Sequence, residues 1–144
     1  MQTQVTKKID FTGKDLFIGL DVHKKSWSVT IIVDGIEHRT FTQPPDPDSL
    51  LNYLQRHFPG GRFHSAYEAG FCGYGIHRKL NSIGIENIVI NAADIPTTQK
   101  DKLQKRDPVD SWKIVRSLEK GSLHGIHIFD RELEELRSYN TTLN

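Results

Sequence analysis

Four acidic residues stand where a carboxylate could do chemistry. Asp21 ends a short apolar run, and Glu68 ends a second one just before Ala69-Gly70. Asp107 and Asp110 lie three residues apart, on one face of any helix that contains both. A charge inside an apolar run is costly unless it is paired or ligates a metal ion. Clustered carboxylates suit Mg²⁺ or Mn²⁺, and two such ions can clamp the attacking and leaving oxygens of a phosphodiester.

Each of these acids also has a purely structural explanation. Asp107 before Pro108 is typical of a helix N-cap, and Asp110 would then lie in the first turn, where a negative charge suits the helix dipole. Asp21 could open the polar turn that follows it, and Glu68 could be an ordinary charge at a strand end. The joint pattern favours a metal site, because strand ends and helix starts can converge at one rim of an α/β sheet.

Basic residues flank the acidic ones in sequence. A basic rim beside a metal cluster would attract phosphates and position a nucleic-acid strand, although such a run is equally typical of a solvated surface. The candidate nucleic-acid contacts are Lys24, Lys25, Lys100, Lys102, Lys105 and Arg106.

Composition narrows the class of protein. The 144 residues suit one domain. A formal net charge of +1 is evidence neither for nor against nucleic acid. Cys72 is the single cysteine, so no intrachain disulfide can form and a cytoplasmic location is expected. No segment approaches the roughly 18 apolar residues of a membrane span, and we expect no membrane association and no secretory signal.

Hydrophobic patterning predicts the elements that must position the acids. Strands are expected at 16–22, 27–33 and 37–42, and Asp34-Gly35 predicts a hairpin that makes them an antiparallel meander with a half-exposed edge. A helix capped by Asp48 should follow, then a strand at 62–67, a helix at 74–82 and a strand at 86–90. After a polar loop at 91–106, a helix should begin at Asp107, with Trp112 on its apolar face, and a charged helix should cover 130–139.

This order of elements predicts an α/β fold with a five-stranded mixed sheet and flanking helices. We expect a flexible N-terminal arm at 1–14, a catalytic domain at 15–121, and a C-terminal helix within 122–144 that leads to a domain absent from this chain.

Three segments resemble a known family. They are GLDVHKKSWSVTIIVDG, YEAGFCGYGIHRKL and KLQKRDPVDSWKIVRSL. Together they resemble the N-terminal DEDD domain of a group of bacterial insertion-sequence transposases that includes the pilin-gene invertases. That domain is similar to the RuvC Holliday-junction resolvase, within the ribonuclease H-like fold. In the order of the family's motif, the matching acids are Asp21, Glu68, Asp107 and Asp110.

The resemblance implies a DNA transposase or recombinase that cuts and exchanges DNA strands with Mg²⁺ or Mn²⁺. It also implies a C-terminal domain that supplies an attacking serine, and a structured guide RNA as a further partner beside DNA. We expect the full-length protein to be a homo-oligomer.

Two other functions stay open from the sequence. An ATP-binding, kinase-like domain begins with a similar meander, but His23-Lys24-Lys25 is a poor phosphate-binding turn. A nucleic-acid-binding or dimerisation module without catalysis would use the acids only for structure, and Mn²⁺ would not stabilise it. A zinc site at His124 and His127 is rejected because no further ligands stand at zinc spacing.

Overall fold

A five-stranded mixed sheet forms the centre of the molecule. The computed structural model describes residues 10–70, 73–95, 110–121, 123 and 125. In chain order the elements are β1 (Asp15–Val22), β2 (Trp27–Val33), β3 (Ile36–Gln43), α1 (Pro47–His57), β4 (Arg62–Glu68), α2 (Gly75–Ser82), β5 (Glu86–Ile90), a 3₁₀ turn (Ala92–Asp94) and α3 (Ser111–Glu119). No helix in these ranges is long and apolar enough to span a membrane.

The strand order is β3-β2-β1-β4-β5, with β1 in the centre. Strands β1, β2 and β3 pair antiparallel, whereas β4 is parallel to β1 and β5 is parallel to β4. The turn between β2 and β3 has positive φ at both Asp34 (54°) and Gly35 (79°), the backbone of a tight two-residue hairpin. The predicted meander and mixed sheet are therefore confirmed, and their arrangement is that of a ribonuclease H-like fold.

One face of the sheet is covered by α1 and α2. Alternate residues of β1, such as Leu16 and Ile18, pack here with Leu54 of α1 and Leu80 of α2, all fully buried. Each fully buried leucine or isoleucine contributes about 1.5–3 kcal/mol relative to an exposed one.

The segment before β1 joins this same core. Phe11 is buried, its ring lies 5.1 Å from that of Phe58, and its backbone N–H donates to the Pro59 carbonyl at 2.9 Å. Residues 11–14 are thus part of the packed domain, while residues 1–9 of the expected arm lie outside the described residues.

Helix α3 covers the opposite face of the sheet, directly over β1. A Cβ at Gly19 would collide with the Ser111 carbonyl oxygen and would lie 2.8 Å from the Val115 nitrogen, so only glycine allows this approach. The Ser111 hydroxyl adds hydrogen bonds to Thr30 (2.8 Å) and Ser28 (3.3 Å) of β2. Glycine and three hydroxyls therefore fix where α3 begins relative to the centre of the sheet.

Both predicted helix starts need correction. Helix α1 is capped by Asp46 rather than Asp48, because Asp46 has an extended backbone, its carboxylate accepts the Asp48 N–H at 3.3 Å, and Pro47 follows in the first turn. Helix α3 begins at Ser111, and Asp110 is its N-cap rather than a residue of its first turn.

The predicted apolar face of α3 is also partly wrong. Ile114 and Val115 are fully buried, but Trp112 is 44% exposed. The predicted helix at 130–139 lies outside the described residues.

Candidate carboxylate site at the ends of the parallel strands

Asp21 and Glu68 lie at the same end of two neighbouring parallel strands. In the register of β1 and β4, Leu20 is paired with Tyr67, and the two acids are the next residue on each strand. Neighbouring strands are about 4.8 Å apart. The carboxyl ends of parallel strands form one rim of an α/β sheet, where ligands commonly bind.

Both acids also share the face of the sheet that α3 covers. Gly19 faces Ser111, and Ala66 belongs to the apolar cluster that contains Ile114 of α3. Because side chains alternate along a strand, the residues two positions further on, Asp21 and Glu68, lie on this same face.

Asp110 stands at the start of the helix over that rim. It directly precedes Ser111, whose hydroxyl is 3.3 Å from that of Ser28, and Ser28 is paired with Asp21 across β1 and β2. Oδ1 of Asp110 accepts the backbone N–H of Lys113 at 2.9 Å and so caps the helix. A carboxylate that uses one oxygen as a cap retains a second oxygen for another contact.

The structure thus brings three predicted acids to one end of the sheet but does not assemble a finished metal centre. Among the described residues, no three His, Cys, Asp or Glu side chains are grouped so that they could hold a metal ion. Asp107 lies in the range 96–109, outside the described residues. Convergence of all four carboxylates therefore stays a prediction.

The side chain of Asp21 is 20% exposed and contacts a histidine of the following turn. Nε2 of His23 lies 3.1 Å from Oδ1 of Asp21, and the His23 ring is about half exposed. The backbone N–H of His23 donates to the Ser26 carbonyl at 3.1 Å, which closes this turn. The contact restricts the orientation of the Asp21 carboxylate at the rim.

Two of the predicted basic contacts can be located. Lys24 and Lys25 lie exposed in the turn between β1 and β2, at the same end of the sheet as Asp21. The other four candidates, Lys100, Lys102, Lys105 and Arg106, lie outside the described residues.

The opposite end of the sheet holds a charged network that the sequence analysis missed. Arg62 donates two hydrogen bonds to Asp15, at 2.9 and 3.1 Å, and the ring of His64 lies between Asp15 (2.8 Å) and Glu86 (2.9 Å). Hydrogen bonds from Arg62, and then from His64, lower the pKa of Asp15. These charges connect β1, β4 and β5 to one another, and they therefore have a structural explanation.

Comparison with known proteins links the chain to transposases. No protein-family model matches it. It is 28% identical over 114 residues to y4rJ, a proposed transposase of Sinorhizobium fredii, covering 72% of this chain and 29% of that protein. It is 25% identical over 109 residues to the transposase for insertion sequence element IS1533 of Leptospira borgpetersenii, covering 72% of this chain and 32% of that protein.

A further relative gives the same picture. The chain is 27% identical over 128 residues to y4qE, another proposed transposase of Sinorhizobium fredii, covering 86% of this chain and 33% of that protein. The chain is thus similar, at modest identity, to insertion-sequence transposases, and it spans about a third of the length of these relatives.

Proposed function

We propose that the chain is the catalytic domain of a DNA transposase, and that the full-length transposase cuts and exchanges DNA strands at a divalent-metal site on the rim described above. The observation that carries this proposal is the position of Asp21 and Glu68 at the ends of adjacent parallel strands, beneath the start of α3. Similarity to transposases supports DNA as the substrate. The proposed ligands are Asp21, Glu68, Asp107 and Asp110.

The donor set suits the proposed ion. All four ligands would offer carboxylate oxygens, which Mg²⁺ and Mn²⁺ prefer over sulfur or nitrogen. When bound, the ion would polarise a phosphodiester and stabilise the charge that develops on its oxygens. Pairing with β2 fixes the backbone of Asp21, and pairing with β5 fixes that of Glu68, so little ordering of these two residues is needed before the ion binds.

The chain's other residues at the rim would hold the substrate. Lys24 and Lys25 would attract backbone phosphates toward the acids, which otherwise repel them. His23 would keep the Asp21 carboxylate oriented. In the full-length protein, the proposal includes a homo-oligomer and a guide RNA as partners.

Plasmid nicking tests the proposal with this chain alone. Supercoiled plasmid is incubated with the chain and Mn²⁺, and open-circle product is measured over time for wild type, Asp21→Asn and Glu68→Gln. We expect slow Mn²⁺-dependent nicking without strand exchange, and at least about a tenfold loss in each variant, because each removes a ligand of the ion.

Asp34→Asn is the matched control. It also removes one carboxylate, but at the other end of β2, in a turn where φ is 54° and asparagine is well tolerated. It breaks only the exposed ion pair with Lys14, which contributes little. Nicking at the wild-type rate by Asp21→Asn and Glu68→Gln contradicts the proposal, and DNA binding without any Mn²⁺-dependent nicking favours a binding module.

A further inference from the structure

Helix α3 carries an exposed aromatic ring that packing does not explain. Trp112 is 44% exposed, whereas Ile114 and Val115 of the same helix are fully buried. The close approach at Gly19 holds α3 against the sheet. The indole is therefore presented to solvent from a helix whose position is fixed.

One cation lies beside this ring, and a second is its neighbour in the sequence. The Arg116 guanidinium carbon lies 4.9 Å from the centroid of the Trp112 ring, within the range of a cation–π contact. The same guanidinium lies 3.8 Å from a carboxylate oxygen of Glu119. Lys113 directly follows Trp112 and is partly exposed. This surface, which we call the Trp112 surface, comprises Trp112, Lys113 and Arg116.

The Trp112 surface adjoins the carboxylate rim. Trp112 is the second residue after Asp110, and Ser111 between them reaches β2 through Ser28, the residue paired with Asp21. Lys24 and Lys25 lie at the same end of the sheet. A strand bound at the acids would therefore pass within reach of the indole.

We propose that Trp112 stacks on an unpaired base of the nucleic-acid strand held at the carboxylate rim, with Arg116 contacting a neighbouring phosphate. This inference rests on the proposed function, because it deepens the account of how the same rim holds its substrate. An aromatic ring among cations is the combination that binds single strands: the ring stacks on any base face, and the cations follow the backbone.

The charges favour nucleic acid over an apolar protein partner. A protein that covered Trp112 would also have to desolvate Lys113 and the ion pair of Arg116 with Glu119, which is costly without new polar partners. A single strand brings phosphates to pair with these cations. A duplex brings phosphates too, but its base faces are already stacked and cannot reach the indole. We therefore expect a preference for single strands.

Tryptophan fluorescence gives a direct test. The chain has two tryptophans, and the other one, Trp27, is 1% exposed. The difference between wild type and Trp112→Phe spectra isolates the signal of Trp112. The probe is a mixed-sequence DNA oligonucleotide longer than the roughly 4–16 nucleotides that one binding site covers. It is titrated as a single strand and as a duplex, with EDTA present so that no cleavage interferes.

The single strand should quench Trp112 fluorescence and protect it from acrylamide, and the duplex should have a smaller effect. Trp112→Ala should weaken single-strand binding on the order of tenfold, and Trp112→Phe should weaken it less because it retains a ring. Ile36→Ala is the matched control, since Ile36 is 70% exposed at the far end of the sheet. The Ile36→Ala variant should bind the single strand with wild-type affinity.

Three results would overturn the inference. They are unchanged Trp112 fluorescence when the oligonucleotide binds, wild-type affinity in Trp112→Ala, and loss of self-association in Trp112→Ala with DNA binding intact, which would make the surface a protein interface. Failure here is distinct from failure of the proposed function. If Trp112 stacks on the strand but no nicking occurs, only the proposed catalysis is contradicted. If nicking occurs while Trp112 fluorescence is unchanged, only the stacking is contradicted.

Discussion

At the scale of single residues, aspartates at the two ends of β1 have different surroundings. Asp15 is held by two hydrogen bonds from Arg62 and one contact with His64, which together lower its pKa. Asp21, at the other end, contacts the half-exposed His23 and lies beneath the start of α3. Sequence reasoning singled out Asp21 by its place in an apolar run, but it missed Asp15, because the partners of Asp15 are 47 and 49 residues away in the chain.

A buried polar network at α2 predicts a pH effect on stability. Asn87 is buried, its Oδ1 accepts the Ser65 hydroxyl hydrogen at 2.6 Å, and its Nδ2 lies 2.9 Å from Nδ1 of His77. Since the amide nitrogen is a donor, His77 must be neutral to accept this bond. Burial, and then the nearby charge of Arg78, lower the pKa of His77.

The sign of the pH effect follows from that shift. The lowered pKa means that the folded state binds the proton of His77 less tightly than the unfolded state does. The contribution of His77 to the free energy of unfolding is therefore fully present above its ordinary pKa of 6.5 and is lost as the pH falls below that value. We expect the free energy of unfolding, measured by urea denaturation, to fall more between pH 7.5 and 5.5 in wild type than in His77→Gln. Equal pH dependence in the two proteins would show that His77 is not responsible.

At the scale of elements, local signals predicted the strands better than the helix starts. The Asp34-Gly35 hairpin and the apolar runs are local, and they gave β1, β2 and β3 within two residues. The sequence favoured Asp107 as the cap and placed Asp110 in the first turn, whereas Asp110 is the cap. What favours Asp110 is tertiary: Ser111 hydrogen-bonds to Thr30, and Gly19 admits its backbone. Neither contact can be read from the segment itself.

The close packing of α3 against β1 predicts the effect of adding one methyl group at Gly19. Gly19→Ala should lower the free energy of unfolding by about 1–3 kcal/mol or more, because the new methyl group collides with the backbone of Ser111 and must displace the helix. Thermal or urea denaturation measures this loss.

Gly75→Ala is the matched control for that substitution. A Cβ at Gly75 meets nothing within 4 Å, and alanine is favoured by up to about 1 kcal/mol over glycine in a helix. It should be neutral or slightly stabilising. If Gly19→Ala is as stable as Gly75→Ala, α3 is not held as closely to β1 as the structure indicates.

At the scale of the whole molecule, the sheet separates a structural end from the proposed functional end. The Asp15 network fixes one end of β1 and β4, and the opposite end carries Asp21, Glu68 and the start of α3. The sequence predicted which acids are candidates and that they share a rim, because the ends of the strands and the alternation along them follow from the pattern of apolar residues. It could not predict their distances, which depend on how closely α3 packs.

The most direct measurement is a crystal structure of the chain with Mn²⁺ and a short DNA strand, with the ion located by its anomalous scattering. The account predicts Mn²⁺ between Asp21 and Glu68, with carboxylate oxygens of both within about 2–2.5 Å and with Asp107 or Asp110 as a further ligand. Mn²⁺ bound elsewhere, or these side chains turned to different faces of the sheet with DNA present, would contradict it.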